Sequence, residues 1–131
     1  MLGSHMAVFD TNVIIDFLNG SAKAKEIIEK YDGLENVAIT SITGYELAKG
    51  LKEKDKEMLS SFLEKVKIYN LDIKSAWMAG EFYKSLKIKG SLLSEADLLI
   101  MSIALSNGEL LITNDKRGFG RLKDERIIIA D

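Results

Sequence analysis

The sequence has no cysteine and no proline, and its single histidine, His5, stands among its first six residues. The lack of cysteine excludes disulfides, zinc fingers, iron–sulfur clusters and thiol catalysis. The lack of proline excludes cis-proline turns and proline-rich linkers. Met1-Leu2-Gly3-Ser4-His5-Met6 reads as an expression-tag remnant, because Gly-Ser-His-Met is a common cloning scar. Residues 1–5 are therefore set apart, and residues 6–131 are read as a single domain. With His5 assigned to the remnant, any catalysis must run on carboxylates, hydroxyls, amides, Lys, Arg or a metal held by oxygen. No stretch approaches the ~18 uninterrupted apolar residues that span a bilayer, and no secretory pattern opens the chain, so a cytoplasmic protein without membrane contact is expected.

What is present is ordinary for a globular domain: 131 residues, 47% hydrophobic and 29% charged, with a net charge of −2. That length supports one core without staples. The small net charge does not announce a nucleic-acid binder, but a local basic patch counts for more than the total. Short apolar runs at Met6–Phe9, Val37–Thr40, Ile68–Leu71, Leu110–Thr113 and Ile127–Ala130 suit strands buried on both faces. Between them, helical spacing predicts helices over Val13–Leu18, Ala22–Tyr31, Thr43–Lys52, Glu57–Lys67, Asp72–Lys89 and Leu98–Leu105. Along Asp72–Lys89, the residues Ile73, Ala76, Trp77, Gly80 and Tyr83 share a face, and the aromatics Trp77, Phe82 and Tyr83 read as core or a dimer seam rather than as a base-stacking surface. Asn107-Gly108 suits a left-handed helix stop. Strands alternating with helices imply an α/β fold, a central parallel sheet of about five strands flanked by helices on both faces.

Sites in such sheets form outside the carboxyl ends of the strands, where strand order reverses. Asp10 directly follows the first strand, and Asp115 follows Leu110–Thr113 by two residues. Glu46 and Asp97 fall in the first turns of the two helices predicted near Thr43 and Ser94. Each acid has a structural explanation by itself. Asp10 can be a helix cap, Thr43–Glu46 and Ser94–Asp97 have capping-box spacing, and Asp115 can be a turn residue. Those explanations do not account for four acids at one sheet edge. Gathered together they would repel, and some would stay protonated unless a divalent cation neutralised them. An all-oxygen donor set points to Mg²⁺ or Mn²⁺, as one ion or two.

The stretches that carry these acids are Phe9-Asp10-Thr11-Asn12-Val13-Ile14-Ile15-Asp16, Thr40-Ser41-Ile42-Thr43-Gly44-Tyr45-Glu46-Leu47, Ala96-Asp97-Leu98-Leu99-Ile100 and Leu111-Ile112-Thr113-Asn114-Asp115. In order and spacing they resemble the PIN domain, and within it the VapC toxins of prokaryotic toxin–antitoxin pairs. The resemblance covers nearly all of residues 6–131. It implies a five-stranded parallel sheet and a metal-dependent ribonuclease leaving a 5′-phosphate and a 3′-hydroxyl. Asp10, Glu46 and Asp97 match the three best-kept acids, and Asp115 matches the fourth. Thr11 and Asn12 match the polar pair behind the first acid, and Thr113 matches the hydroxyl before the fourth. The resemblance also implies a small VapB-type antitoxin partner covering the acidic groove, and a homodimer. One departure stands out. Relatives often place a further acid just before an aromatic, whereas this chain reads Asp115-Lys116-Arg117-Gly118-Phe119, with the acid absent and the spacing one residue longer. That leaves open whether one ion or two are held.

On this reading Asp10 and Asp97 hold the principal metal, while Glu46 and Asp115 complete its surroundings or orient water. Lys116, Arg117 and Arg121 follow Asp115 and are expected to grip the RNA backbone. Lys49 is expected to join them, although its cluster with Lys52, Lys54 and Lys56 equally suits a solvated surface. Asp16 is read either as a partner of Asn12 or as a surface acid. Two alternatives remain: a phosphatase- or receiver-like phosphoryl-transfer domain, and a catalytically silent partner-binding module. Asn12 argues against the first, since such phosphatases need an acid at that position.

Overall fold

The computed structural model describes residues 6–31 and 34–130. The tag remnant read at residues 1–5 lies outside the described residues. Five strands, β1 (Ala7–Phe9), β2 (Val37–Thr40), β3 (Lys67–Tyr69), β4 (Leu110–Thr113) and β5 (Ile127–Ile129), form one sheet in the order β3-β2-β1-β4-β5. All four pairings are parallel. Six α-helices connect them: α1 (Thr11–Leu18), α2 (Ala22–Lys30), α3 (Ser41–Lys49), α4 (Lys56–Lys65), α5 (Ile73–Lys89) and α6 (Glu95–Ser106). Among the described residues, no helix is long and apolar enough to cross a membrane.

The inner strands β1, β2 and β4 are almost wholly apolar because the pleat sends alternate residues into two cores. Ala7, Phe9, Val37, Ile39 and Ile112 pack with residues of α1 to α4. Val8, Ala38, Leu111 and Ile127 pack with residues of α5 and α6. Phe9, Ile39, Leu111 and Ile112 are fully buried, each worth roughly 1.5–3 kcal/mol of hydrophobic stabilisation. β1 lies between β2 and β4. The chain therefore leaves β1 toward one side of the sheet and returns on the other, which opens a crevice at the carboxyl ends of β1 and β4.

Several boundaries differ from the sequence expectation, and side-chain caps explain most of them. α1 begins at Thr11 rather than Val13, because Asp10 is itself the N-cap and accepts the Thr11 amide. α3 begins at Ser41 rather than Thr43, because Thr40 caps it and accepts the Thr43 amide at 3.2 Å. Thr43 is therefore not a cap but a buried helix residue, and Glu46 stands in the second turn rather than the first. Ser94 does cap α6, accepting the Asp97 amide at 3.1 Å.

The stripe expected as a core or seam on α5 is not a core face: Ile73 and Trp77 are 80% and 71% exposed. A reciprocal Asp72–Ser75 cap turns Ser75, Ala79 and Leu86 inward instead. β3 begins one residue before the expected Ile68 and ends at Tyr69, and it is largely exposed because it is an edge strand.

Candidate active site

Asp10 is only 4% exposed, at the end of β1. Both of its carboxylate oxygens are held. Oδ1 accepts the Thr11 amide at 2.9 Å, and Oδ2 accepts the Thr113 hydroxyl at 2.8 Å. Thr113 is fully buried at the end of β4 and also accepts the Asp115 amide at 3.0 Å. One hydroxyl thus ties the loop that carries Asp115 to the first acid. This linkage exists because β1 and β4 are neighbours in register, with Phe9 opposite Ile112 and the Asp10 amide on the Ile112 carbonyl.

A second hydroxyl, from Thr11, reaches across to α3. It donates to Glu46 Oε1 at 2.6 Å and lies 2.8 Å from the Thr43 hydroxyl. With its only proton on Glu46, Thr11 must accept from Thr43. The Thr43–Thr11–Glu46 chain holds one oxygen of the carboxylate through Thr11. Sequence reading gave Thr43 no role beyond a cap; in the structure it is a fully buried residue in the first turn of α3.

The electrostatics of these acids are unfavourable. Burial pushes the Asp10 carboxyl up to about 6, the Thr113 hydroxyl bond pulls it down, and the negative charges of Asp97 and Glu46 push it up. Asp97, in the first turn of α6, is also raised, mainly by burial and then by the charges of Asp115 and Glu46, against the lowering bond from Ser94. The four acids therefore feel one another across elements that are far apart in sequence. They do not close into a cage. Among the described residues, no three acids stand near enough to hold an ion by themselves. Each carboxylate is instead tied to its own donor: Asp10 to Thr113, Glu46 to Thr11, Asp97 to Ser94, and Asp115 to the Gly118 amide at 3.0 Å.

That arrangement fits a hard divalent cation of the Mg²⁺ kind, which binds through one or two carboxylates and keeps several waters. A buried, partly protonated carboxylate facing other acids is the state such an ion relieves.

The remaining expected residues lie farther out. Asn12 is exposed on α1, and Asp16 is met by the Asn114 amide at 3.5 Å rather than by Asn12. Lys116 and Arg117 are exposed on the loop after Asp115. Arg121 donates to the Leu92 carbonyl at 3.1 Å, toward the α5–α6 connection. Lys49 sits over the ring of Tyr45, 5.2 Å from its centroid. Tyr45, 63% exposed beside Glu46, escaped the sequence reading, because an isolated aromatic on a helix carries no distinguishing pattern. An open groove of about 380 Å³ runs beside Glu46, with Ile15, Leu47, Met58 and Leu59 among its lining.

Comparison with known proteins gives consistent matches. The family model described as PIN domain matches residues 7–125. Ribonuclease VapC3 of Methanocaldococcus jannaschii is 44% identical over 98 residues, covering 74% of this chain and 96% of that protein. Ribonuclease VapC1 of the same organism is 32% identical over 123 residues, covering 93% and 85% respectively. Among solved structures, the crystal structure of DNA-bound VapBC from Salmonella typhimurium aligns with a TM-score of 0.82 at 25% identity, covering 94% of this chain and 96% of that one.

Proposed function

The chain belongs to the PIN-domain family, and on that premise we propose that it is a VapC-type endoribonuclease, the toxin of a toxin–antitoxin pair, acting with a divalent metal. The observation that carries this reading is Asp10: a buried carboxylate, raised to about 6, held by hydroxyl and amide donors and facing the charges of Asp97 and Glu46. A purely structural acid would be surrounded by donors and cations, not by other acids. The ribonuclease relatives set the phosphoryl-transfer alternative aside.

Asp10 and Asp97 would hold the ion, with Mg²⁺ or Mn²⁺ as the candidates. When bound, the cation supplies Lewis acidity toward the scissile phosphate and the attacking water. The protein's own contribution is orientation. Thr113 and the Thr11 amide fix both oxygens of Asp10, so its carboxylate plane does not have to be ordered when substrate arrives. Glu46 has one oxygen engaged by Thr11, which leaves the other to receive a proton or align water. Asp115, anchored through Oδ1 on the Gly118 amide, adds its negative charge to the field on Asp97.

RNA must approach this acidic crevice against repulsion. Lys116 and Arg117, on the loop beyond Asp115, are assigned to phosphate contact, and Lys49 and Arg121 to the flanks. Cleavage should therefore slow steeply as salt is raised. The groove beside Glu46, lined by apolar residues together with Lys52, Lys54 and Asp55, offers a seat for a segment of a VapB-type antitoxin adjacent to the acids. The decisive experiment mixes the purified chain with RNA oligonucleotides in Mg²⁺ or Mn²⁺, with and without the product of the neighbouring gene. Cutting that needs metal, is lost in Asp10→Asn and is silenced by the partner is expected. Full cutting by Asp10→Asn would overturn the site assignment.

A further inference from the structure

The glycine before Phe119 stands where the family resemblance leads one to expect an acid, and its surroundings make it more than a missing side chain. Asp115 turns back into its own loop, with Oδ1 on the Gly118 amide at 3.0 Å. A Cβ built on Gly118 would stand 2.5 Å from Asp115 Oδ2 and 3.3 Å from its Cγ. The first distance is shorter than real Cβ contacts allow, and the second leaves no slack. The backbone does not demand glycine here: Gly118 has φ −81°, open to any residue. The requirement comes wholly from the carboxylate.

We propose that Gly118 is a positioning residue whose missing side chain lets Asp115 hold its carboxylate in the orientation used by the active site. The inference rests on the reading of Asp115 as part of that site. The loop has little freedom to evade the clash. On one side the Asp115 amide is bonded to Thr113, which is bonded to Asp10. On the other, Phe119 is 1% exposed in the α5–α6 core. With both ends pinned, a methyl group at position 118 moves the group that can move, the Asp115 side chain. An acid at this position would displace Asp115 in the same way, since its Cβ would occupy the space Asp115 now fills. Gly120 provides an internal contrast, since a Cβ there would meet only Lys116 Cβ at 3.9 Å, an ordinary contact.

The test uses Gly118→Ala, Gly120→Ala, Asp115→Ala and the double variant Gly118→Ala/Asp115→Ala in the full chain. Gly118→Ala is expected to lower kcat about ten- to a hundred-fold, the scale of a displaced catalytic group, with KM and the melting temperature nearly unchanged. Gly120→Ala should behave like the parent. In the Asp115→Ala background, adding Gly118→Ala should cost nothing more, because the atom it displaces is gone. A crystal structure of metal-free Gly118→Ala should show the Asp115 carboxylate rotated away from the residue 118 amide. Equal losses in both backgrounds, or an unmoved Asp115 carboxylate in that crystal structure, would overturn the proposal. Full activity of Asp115→Ala would instead overturn the reading of Asp115 on which it stands.

Discussion

Two buried acids flank the neighbouring strands β1 and β4 at opposite ends of the sheet, and they live in different electrostatic worlds. Glu109, 5% exposed just before β4, accepts the Met6 amide at 3.1 Å and the Tyr69 hydroxyl. Its backbone is fixed by the left-handed turn at Gly108, φ 72°, which lets the Glu109 amide return to the Ala104 carbonyl and end α6. The Tyr69 phenol is pushed up to about 12, first by burial and then by its bond to Glu109, as befits a hydroxyl committed to a carboxylate. Asp10, equally buried after β1, also has its donors, but Asp97 and Glu46 press their charges on it. At one end of the sheet a carboxylate fastens strands together. At the other, a carboxylate is kept at a disadvantage that a cation would remove. Burial alone therefore does not mark a functional acid; what surrounds it does.

Removing the charge at either end of the sheet should have opposite consequences. Asp10→Asn should lower RNA cleavage by about a hundred-fold or more, the scale of losing a principal electrostatic group. In chelator the same variant should be more stable than the parent at pH 7, read as a higher urea midpoint, because it removes a charge the fold disfavours.

The pH dependence of stability sharpens the point. Asp10's folded value of about 6 lies above its ordinary 3.8, so between them the native state binds more protons than the unfolded chain. Without metal, stability should thus be greatest at low pH and fall as pH rises through about 6, by up to about 3 kcal/mol from this group. Asp97, also raised, adds to that slope. Asp72 and Asp124, lowered by the Ser75 and Arg126 bonds, oppose it, so the difference between parent and Asp10→Asn isolates the Asp10 contribution. Urea melts in chelator at pH 4.5 and 7.5 would measure it; an Asp10→Asn variant with the parent's slope would sink it.

Glu109→Gln should do the reverse of Asp10→Asn. It should lose about 1–3 kcal/mol of stability, through weakened bonds to Met6 and Tyr69, while cleavage per folded molecule stays at the parent rate. The smallest effect is expected from Thr113→Val, which removes the hydroxyl between Asp10 and Asp115 without changing side-chain shape. About 1 kcal/mol of stability and roughly a tenfold loss of rate should follow, by thermal melts and single-turnover cleavage.

Much of the architecture was legible along the chain because strands buried on both faces must be apolar throughout. Val37–Thr40 and Leu110–Thr113 were delimited to the residue for that reason. Helix starts were less legible. Asp10 and Thr40 act as caps at the same time as they end strands, and a residue with two jobs does not declare where one element stops. The α5 face is not core, because Ile73 and Trp77 follow helical spacing yet face solvent, while Ser75 is turned inward by its bonds to Asp72. The four acids could be named from order and spacing. The hydroxyls of Thr11, Thr43 and Thr113 acquire their roles only through partners 32 to 103 residues away, and the glycine at 118 only through the fold of its own loop around Asp115.

The sequence by itself determined the chemistry available: no thiol, and, with the histidine read as part of the remnant, only oxygen donors for a metal, on an alternating α/β frame. It also determined which acids stand at strand ends, since apolar runs stop where polar residues begin. Tertiary structure alone decided which of those acids feel one another, which hydroxyl holds which oxygen, and that Glu109 is fastened while Asp10 is pressed. The physical reason is range. Hydrophobic periodicity is written within a few consecutive residues, whereas a carboxylate's protonation depends on burial and on charges brought near it by parallel strands whose sequence positions are far apart.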